Sequence, residues 1–170
     1  MAFAEEKWPW ADKLNQVFFR GSRTDRSRDP LIRLGQTHPE QFDVALTASG
    51  SQKVNANAVA DGLGPMAPQV SMEDHCQYRH LFNFKGVAAS FRYKYLFLCK
   101  SVVYQVTSEW REFFYDELLP WVHYIPVAAD MRDAQAVRAL SLLARFSLDF
   151  YFLSCSLYST LSPHNTNTHI

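Results

Sequence analysis

The sequence predicts an α/β fold built on a Rossmann-like parallel sheet. Three observations carry that reading. Short apolar and aromatic runs of strand length recur at Gln16 to Arg20, Leu81 to Phe84 and Ser101 to Val106. The first two end in small-residue turns, Gly21-Ser22 and Lys85-Gly86. Helix-forming stretches follow those turns, so strands and helices alternate from Val17 to Val127, the order of parallel crossover units. In such a sheet a ligand sits beyond the carboxyl ends of the strands, where both glycine turns lie.

The 170 residues suffice for one domain with a real core. The 17 basic and 17 acidic residues balance, which argues against a general nucleic-acid binder or a polybasic membrane surface. An aromatic content of 15% suits a packed fold rather than a disordered chain. Met1 to Trp8 has no apolar run of signal-peptide length, and Glu5 and Glu6 do not suit a basic leader. The apolar stretch Leu140 to Leu161 is broken by Arg145 and Asp149, which argues against a bilayer span. His169-Ile170 is not a retention signal of the Lys-Asp-Glu-Leu kind. Three cysteines, Cys76, Cys99 and Cys155, leave any pairing open.

Taken in order, Trp8 and Trp10 read as core anchors. After the Gln16 to Arg20 strand, Arg28 to Leu34 opens a helix, with Pro30 allowed in its first turn. Between Lys7 and Arg33 basic residues outnumber acidic ones seven to three. That excess suits a diphosphate, or else belongs to a solvated, salt-bridged loop. Phe42 to Thr47 reads as a strand, and Ala48 to Gln69, rich in Ser, Gly, Asn and Pro, as loop. Asp74-His75 with His80 supplies too few spaced ligands for a metal, so a structural hydrogen-bonding role is expected.

The central stretch is His80 to Cys99. Its strand breaks at Lys85-Gly86, and a helix is expected from Ala88, with Phe91, Tyr95 and Leu98 on one face. Free amides at that helix start would make an anion site. Ser90 either adds a hydroxyl there or merely caps the helix. Arg92 either forks onto a phosphate or is a surface charge. Glu109 and Glu112, at helical i, i+3 spacing, are candidates for acid–base work or plain solvated charges. Trp121 to Val127 reads as a strand ending in a proline, with His123 in the core, and Asp130 to Asp133 as the cap of a helix over Ala134 to Leu140.

The motifs Phe18-Phe-Arg-Gly-Ser-Arg-Thr24, Leu81-Phe-Asn-Phe-Lys-Gly-Val-Ala-Ala-Ser-Phe-Arg92, Glu109-Trp-Arg-Glu-Phe-Phe-Tyr115 and Pro120-Trp-Val-His-Tyr-Ile-Pro-Val127 are long and specific. From about Trp8 to about Asp130 the chain resembles the Rumi-type protein O-glucosyltransferases of glycosyltransferase family 90, which share the capsule-associated lipopolysaccharide-modifying domain. The resemblance implies that residues 1–140 form the UDP-sugar-binding half of a two-domain GT-B-type enzyme, followed by a divergent tail over 141–170. It implies donor contacts at Ser22, Arg28, Val87, Ala88, Ala89, Ser90, Phe91 and Arg92, a ribose contact at Glu109 or Glu112, and a Cys76–Cys99 disulfide. By the same resemblance no metal or other cofactor is expected, and the compartment is the endoplasmic reticulum lumen. The family transfers glucose, or in some members xylose, from UDP-sugar to serine of epidermal-growth-factor-like repeats. Its catalytic aspartate lies upstream of the residues matched here, so no catalytic residue is assigned, and the chain alone is expected to bind UDP weakly or not at all and to be inactive. The alternatives are a non-catalytic nucleotide-sugar or carbohydrate-binding module, and a structural fragment whose basic loop is merely solvated.

Overall fold

The computed structural model describes residues 4–48 and 51–143. Helix α1 (Ala4–Lys7) leads to strand β1 (Leu14–Gly21), helix α2 (Asp29–Thr37), strand β2 (Phe42–Leu46) and helix α3 (Gln52–Ala60). Strand β3 (Tyr78–Asn83), helix α4 (Tyr93–Leu96), strand β4 (Val102–Val106), strand β5 (Ile125–Val127) and helix α5 (Ala134–Leu143) follow.

The five strands form one parallel sheet in the order β2-β1-β3-β4-β5. This is a doubly wound order. The chain steps outward from β1 to β2, then crosses back over β1 to β3. The crevice between the carboxyl ends of β1 and β3 is therefore the point where winding reverses. The short β5 closes one edge, which is why Pro126 is tolerated within it.

Alternation along the strands builds two cores. On one face Val17, Phe19, Phe82, Tyr104 and Ile125 pack against Leu31 and Ile32 of α2 and Val137 of α5. On the other Phe18, Leu81 and Val103 pack against Tyr93, Leu96 and Phe114. Each such fully buried side chain contributes about 2 kcal/mol through removal from water. Cys76 and Cys99 form the implied disulfide, with Cα atoms 4.6 Å apart and a sequence separation of 23. Buried Lys13 donates to both cysteine carbonyls, at 2.9 Å to Cys99. A second buried network ties α5 to the sheet. His80 meets Asn15 at 3.1 Å and the Tyr104 hydroxyl at 3.0 Å, and Tyr104 meets Ser141 at 2.6 Å.

Three expectations are corrected. Ala48 to Gln69 is not all loop. Ser51 accepts from the Val54 amide and starts α3, whose one buried residue is Ala58, so the helix carries no apolar stripe for periodicity to detect. The central helix does not begin at Ala88. Residues 84–92 are non-helical and α4 is a single turn from Tyr93, extended by a 3-10 turn over Phe97–Cys99. The strand expected from Trp121 begins at Ile125. Trp121 has a positive φ of 65° in a turn whose Leu119 amide donates to His123 Nδ1 at 2.8 Å. His123 is buried, as expected of a core histidine. Among the described residues no helix is long and apolar enough to cross a membrane. The tail beyond Leu143 lies outside the described residues.

Candidate functional site

Two arginines converge on the β1–β3 crevice. Arg28 ends the 3-10 turn Arg26–Arg28 that leads into α2, and it is only 5% exposed. Its guanidinium donates to the Ser22 carbonyl and, at 2.6 Å, to the Lys85 carbonyl, so it bridges the loops after β1 and β3. Arg92 comes from the far end of the β3 loop and donates to the Arg20 carbonyl at 2.5 Å. Both guanidiniums lie over the Phe19 ring, at 5.4 and 5.5 Å from its centroid. Gly21 stands between them. A Cβ there would approach Phe19 to 2.9 Å and both Arg28 Nη1 and Arg92 Nη2 to 3.3 Å, so the missing side chain is what lets the two cations close in.

Among the described residues neither guanidinium forms an ion pair with a carboxylate. Burial, then the neighbouring Arg92 charge, pushes Arg28 down to about 10, with Asp25 partly opposing. Burial lowers Arg92 as well. At neutral pH Arg28 nevertheless stays protonated, as arginines in proteins do. Two adjacent cations, one buried and one half-buried, without a counter-charge are a strong attractor for a multivalent anion.

A third cation sits at the rim. Lys85 Nζ lies 2.9 Å from Glu109 Oε1 and 3.7 Å from Asp25 Oδ2, linking the loops after β1, β3 and β4. The hydrogen bond to Glu109, against some desolvation, raises the lysine. Burial alone would raise Asp25, but Ser27's hydroxyl and amide, with Lys85 and Arg28, hold it below the usual carboxylate range.

The expected site residues divide. Ser22, Arg28 and Arg92 come together in the crevice. Ser90 lies nearby but is buried, and its hydroxyl is committed to Asn83 Oδ1 at 2.6 Å. It anchors the loop rather than starting a helix. Val87 and Phe91 are 88% and 68% exposed, while Ala88 uses its carbonyl to accept from the Gly86 amide at 2.8 Å. Ala89 is half-buried between them. Glu109 and Glu112 do not share a helix, because the stretch between β4 and the 3-10 turn Phe113–Glu117 is non-helical. Glu109 is engaged by Lys85, and Glu112 flanks that turn without capping it. Among the described residues no cluster of His, Cys, Asp or Glu could hold a metal.

Sequence reading missed Asn83 and Gln105. Asn83, fully buried at the end of β3, donates to Gln105 Oε1 at 2.5 Å while accepting from Ser90, and so fixes where the β3 loop turns. The available signal was an amide at the end of an otherwise apolar strand. Buried amides need partners, and this one finds them in two other segments.

The sequence model described as glycosyl transferase family 90 matches residues 1–143. Protein O-glucosyltransferase 1 of Rattus norvegicus is 52% identical over 130 residues, covering 76% of this chain and 32% of the relative. The protein of the same name from Homo sapiens is 51% identical over the same shares. O-glucosyltransferase rumi of Drosophila melanogaster is 52% identical over 119 residues, 70% of this chain and 28% of the relative. The chain thus spans about a third of the length of these curated relatives. The matched residues include the whole described sheet and both crevice loops, and on that match the chain belongs to glycosyl transferase family 90.

Proposed function

We propose that this chain is the donor-binding half of a GT-B-type glycosyltransferase, and that the β1–β3 crevice takes the diphosphate of UDP-glucose or UDP-xylose. The observation that carries the reading is the pair of buried Arg28 and half-buried Arg92, side by side at the winding switch point with no carboxylate partner among the described residues. As the bond from the sugar's anomeric carbon to the phosphate oxygen breaks, negative charge grows on the departing UDP. Fixed guanidiniums stabilise that charge more in the transition state than in the ground state. They do the neutralising themselves, so the reading invokes no metal.

The acceptor in this reading is a serine hydroxyl of an epidermal-growth-factor-like repeat, whose oxygen attacks the anomeric carbon with inversion while a base removes its proton. Asp25 and Glu109 suit that base poorly, because neighbouring hydrogen bonds and Lys85 hold both below the usual carboxylate range. Proton removal is assigned to the family's aspartate, outside the stretch matched here, and the 170-residue chain by itself is expected to bind donor without transferring sugar. The Cys76–Cys99 disulfide supports an oxidising secretory compartment, with the endoplasmic reticulum lumen as the setting.

Calorimetric titration of UDP tests the reading. Binding is expected, and Arg92→Ala should weaken it by at least about 1 kcal/mol, the least that a lost charged hydrogen bond costs. No binding by a chain with native-like circular dichroism overturns it. Sugar transfer to a folded acceptor repeat by the chain alone would defeat the assignment of the base elsewhere.

A further inference from the structure

Two guanidiniums brought together partly out of water repel each other, and each loses hydration. Arg23, in the loop after β1, meets the usual answer, because Asp29 and Asp61 hold it. Arg28 and Arg92 have no such partner among the described residues. Hydrogen bonding of Arg28 is incomplete as well, since its Nε is buried and unpartnered among the described residues. What the fold supplies instead is aromatic. Arg28 lies over Phe19 at 5.4 Å and over Phe84 at 5.9 Å from the ring centroids, and Arg92 lies over Phe19 at 5.5 Å. Among the described residues no ring lies under Arg23.

We propose that Phe19 and Phe84 are positioning residues, an aromatic seat that holds both arginines in the crevice with their charges left for the diphosphate. The inference rests on the donor reading above. A ring face carries partial negative charge from its quadrupole, so it attracts a cation without neutralising it. A carboxylate in the same place would quench the charge, and an incoming anion would have to displace it. The seat has little freedom. Phe19 and Phe84 are 1% and 2% exposed, and their rings meet at 4.9 Å and 66°, an edge-type contact that fixes their tilt. Phe19 belongs to β1 and Phe84 directly follows β3, so the two strands that flank the crevice each supply one ring.

Phe19 lies under both cations and so carries the greater part. Phe82 separates charge from packing. It is 2% exposed in the same core and stacks on Tyr104 at 4.8 Å, but among the described residues no cation lies over it. A ring with the shape of Phe19 and a weaker quadrupole fills the core as well but holds the cations less well. The arginines then turn out towards water more often, and the diphosphate must gather them again, which lowers affinity. A ring that met the anion directly would act with the opposite sign, since weakening its negative face would favour the anion.

The test replaces Phe19 by phenylalanine carrying one, two or three ring fluorines, which weakens the quadrupole stepwise at nearly constant shape. The same series at Phe82 is the control. Each protein is titrated with UDP and with inorganic pyrophosphate, and thermal denaturation establishes that it is folded. Affinity for both ligands should fall with each fluorine at Phe19, reaching about fivefold at three, the order of one cation–π contact. In the Phe82 series it should stay within about twofold. If the parent binds, a flat or rising Phe19 series, an equal fall in both series, or a loss confined to UDP overturns the seat and leaves the donor reading intact. A folded parent that binds neither ligand overturns the donor reading, and this inference falls with it.

Discussion

Arg23 and Arg28 lie five residues apart in one loop, and their surroundings are opposite. Arg23 faces Asp29 through a two-pronged contact and reaches Asp61 at 2.7 Å. Those bonds raise its proton affinity despite some desolvation. Arg28 faces two carbonyl oxygens and a second arginine, and its proton affinity falls. The first guanidinium is neutralised by the fold, whereas the second keeps its charge for something outside it. A count of basic residues cannot separate the two. The difference lies in which carboxylates the fold brings up, and Asp61 belongs to another segment altogether.

The largest effects should come from exchanging each arginine for methionine, which keeps most of the stem. Arg28→Met removes charge from the crevice, and UDP affinity should fall about a hundredfold, near the upper range for hydrogen bonds to charged groups. Arg23→Met strands the largely buried Asp29 side chain, and should cost about 3 kcal/mol of stability in urea unfolding. Its UDP affinity, measured below the unfolding transition, should stay within about twofold. Equal losses of affinity in both variants would break the contrast between a structural and a ligand-facing arginine.

What the sequence made legible follows the same division between local and distant causes. The cores of β1, β3 and β4 were readable because each is an apolar run of strand length, and the first two end at glycine turns. The crevice was readable in outline, since the winding rule puts a site where Gly21 and Gly86 stand. The path of residues 84–92 was not. Ala88 to Arg92 favour a helix locally, but Asn83 captures Ser90 and the Arg20 carbonyl captures Arg92. Those partners come from the ends of two strands, and tertiary contacts overrode propensity. Helix α3 was hidden for the converse reason, because it buries almost nothing and its polar surface reads as loop. The Cys76–Cys99 pair was open on spacing alone and became legible only through family resemblance.

Two histidines sharpen the comparison by handling burial in a third way. Burial lowers His75 to about 4, against the Ser71 carbonyl, which favours its proton. Burial, with the Arg138 and Arg79 charges, lowers His80 to about 3. Both stay neutral in the fold, an escape closed to arginine. The unfolded chain takes up these protons near pH 6.5, whereas the folded chain does so only near pH 4 and 3. Stability is therefore complete above about pH 6.5 and declines as pH falls, by up to about 1.4 kcal/mol per pH unit for each histidine. The loss should level off below the folded values. Urea unfolding at a series of pH values checks this, and His75→Gln should flatten the slope between pH 6 and 4. An unchanged slope would mean that His75 is charged in the fold, and buried bases would then divide in two ways rather than three.

The smallest expected effect concerns Lys85, which stands between the two arginine cases. Like Arg23 it has carboxylate partners, but they are at the rim, and the Glu109 side chain is 66% exposed. Exposed pairs are weak and screened by salt. If Glu109 only restrains Lys85, Glu109→Gln frees a cation beside the crevice and should strengthen UDP binding about twofold at low salt. That gain should vanish in high salt. If instead Glu109 holds the ribose hydroxyls, the same variant weakens UDP binding, and the loss persists in salt because a hydrogen bond to the ligand is gone. It would then spare pyrophosphate, which has no ribose. The sign of this one small change decides whether the carboxylate at the rim belongs to the protein's own charge balance or to its ligand.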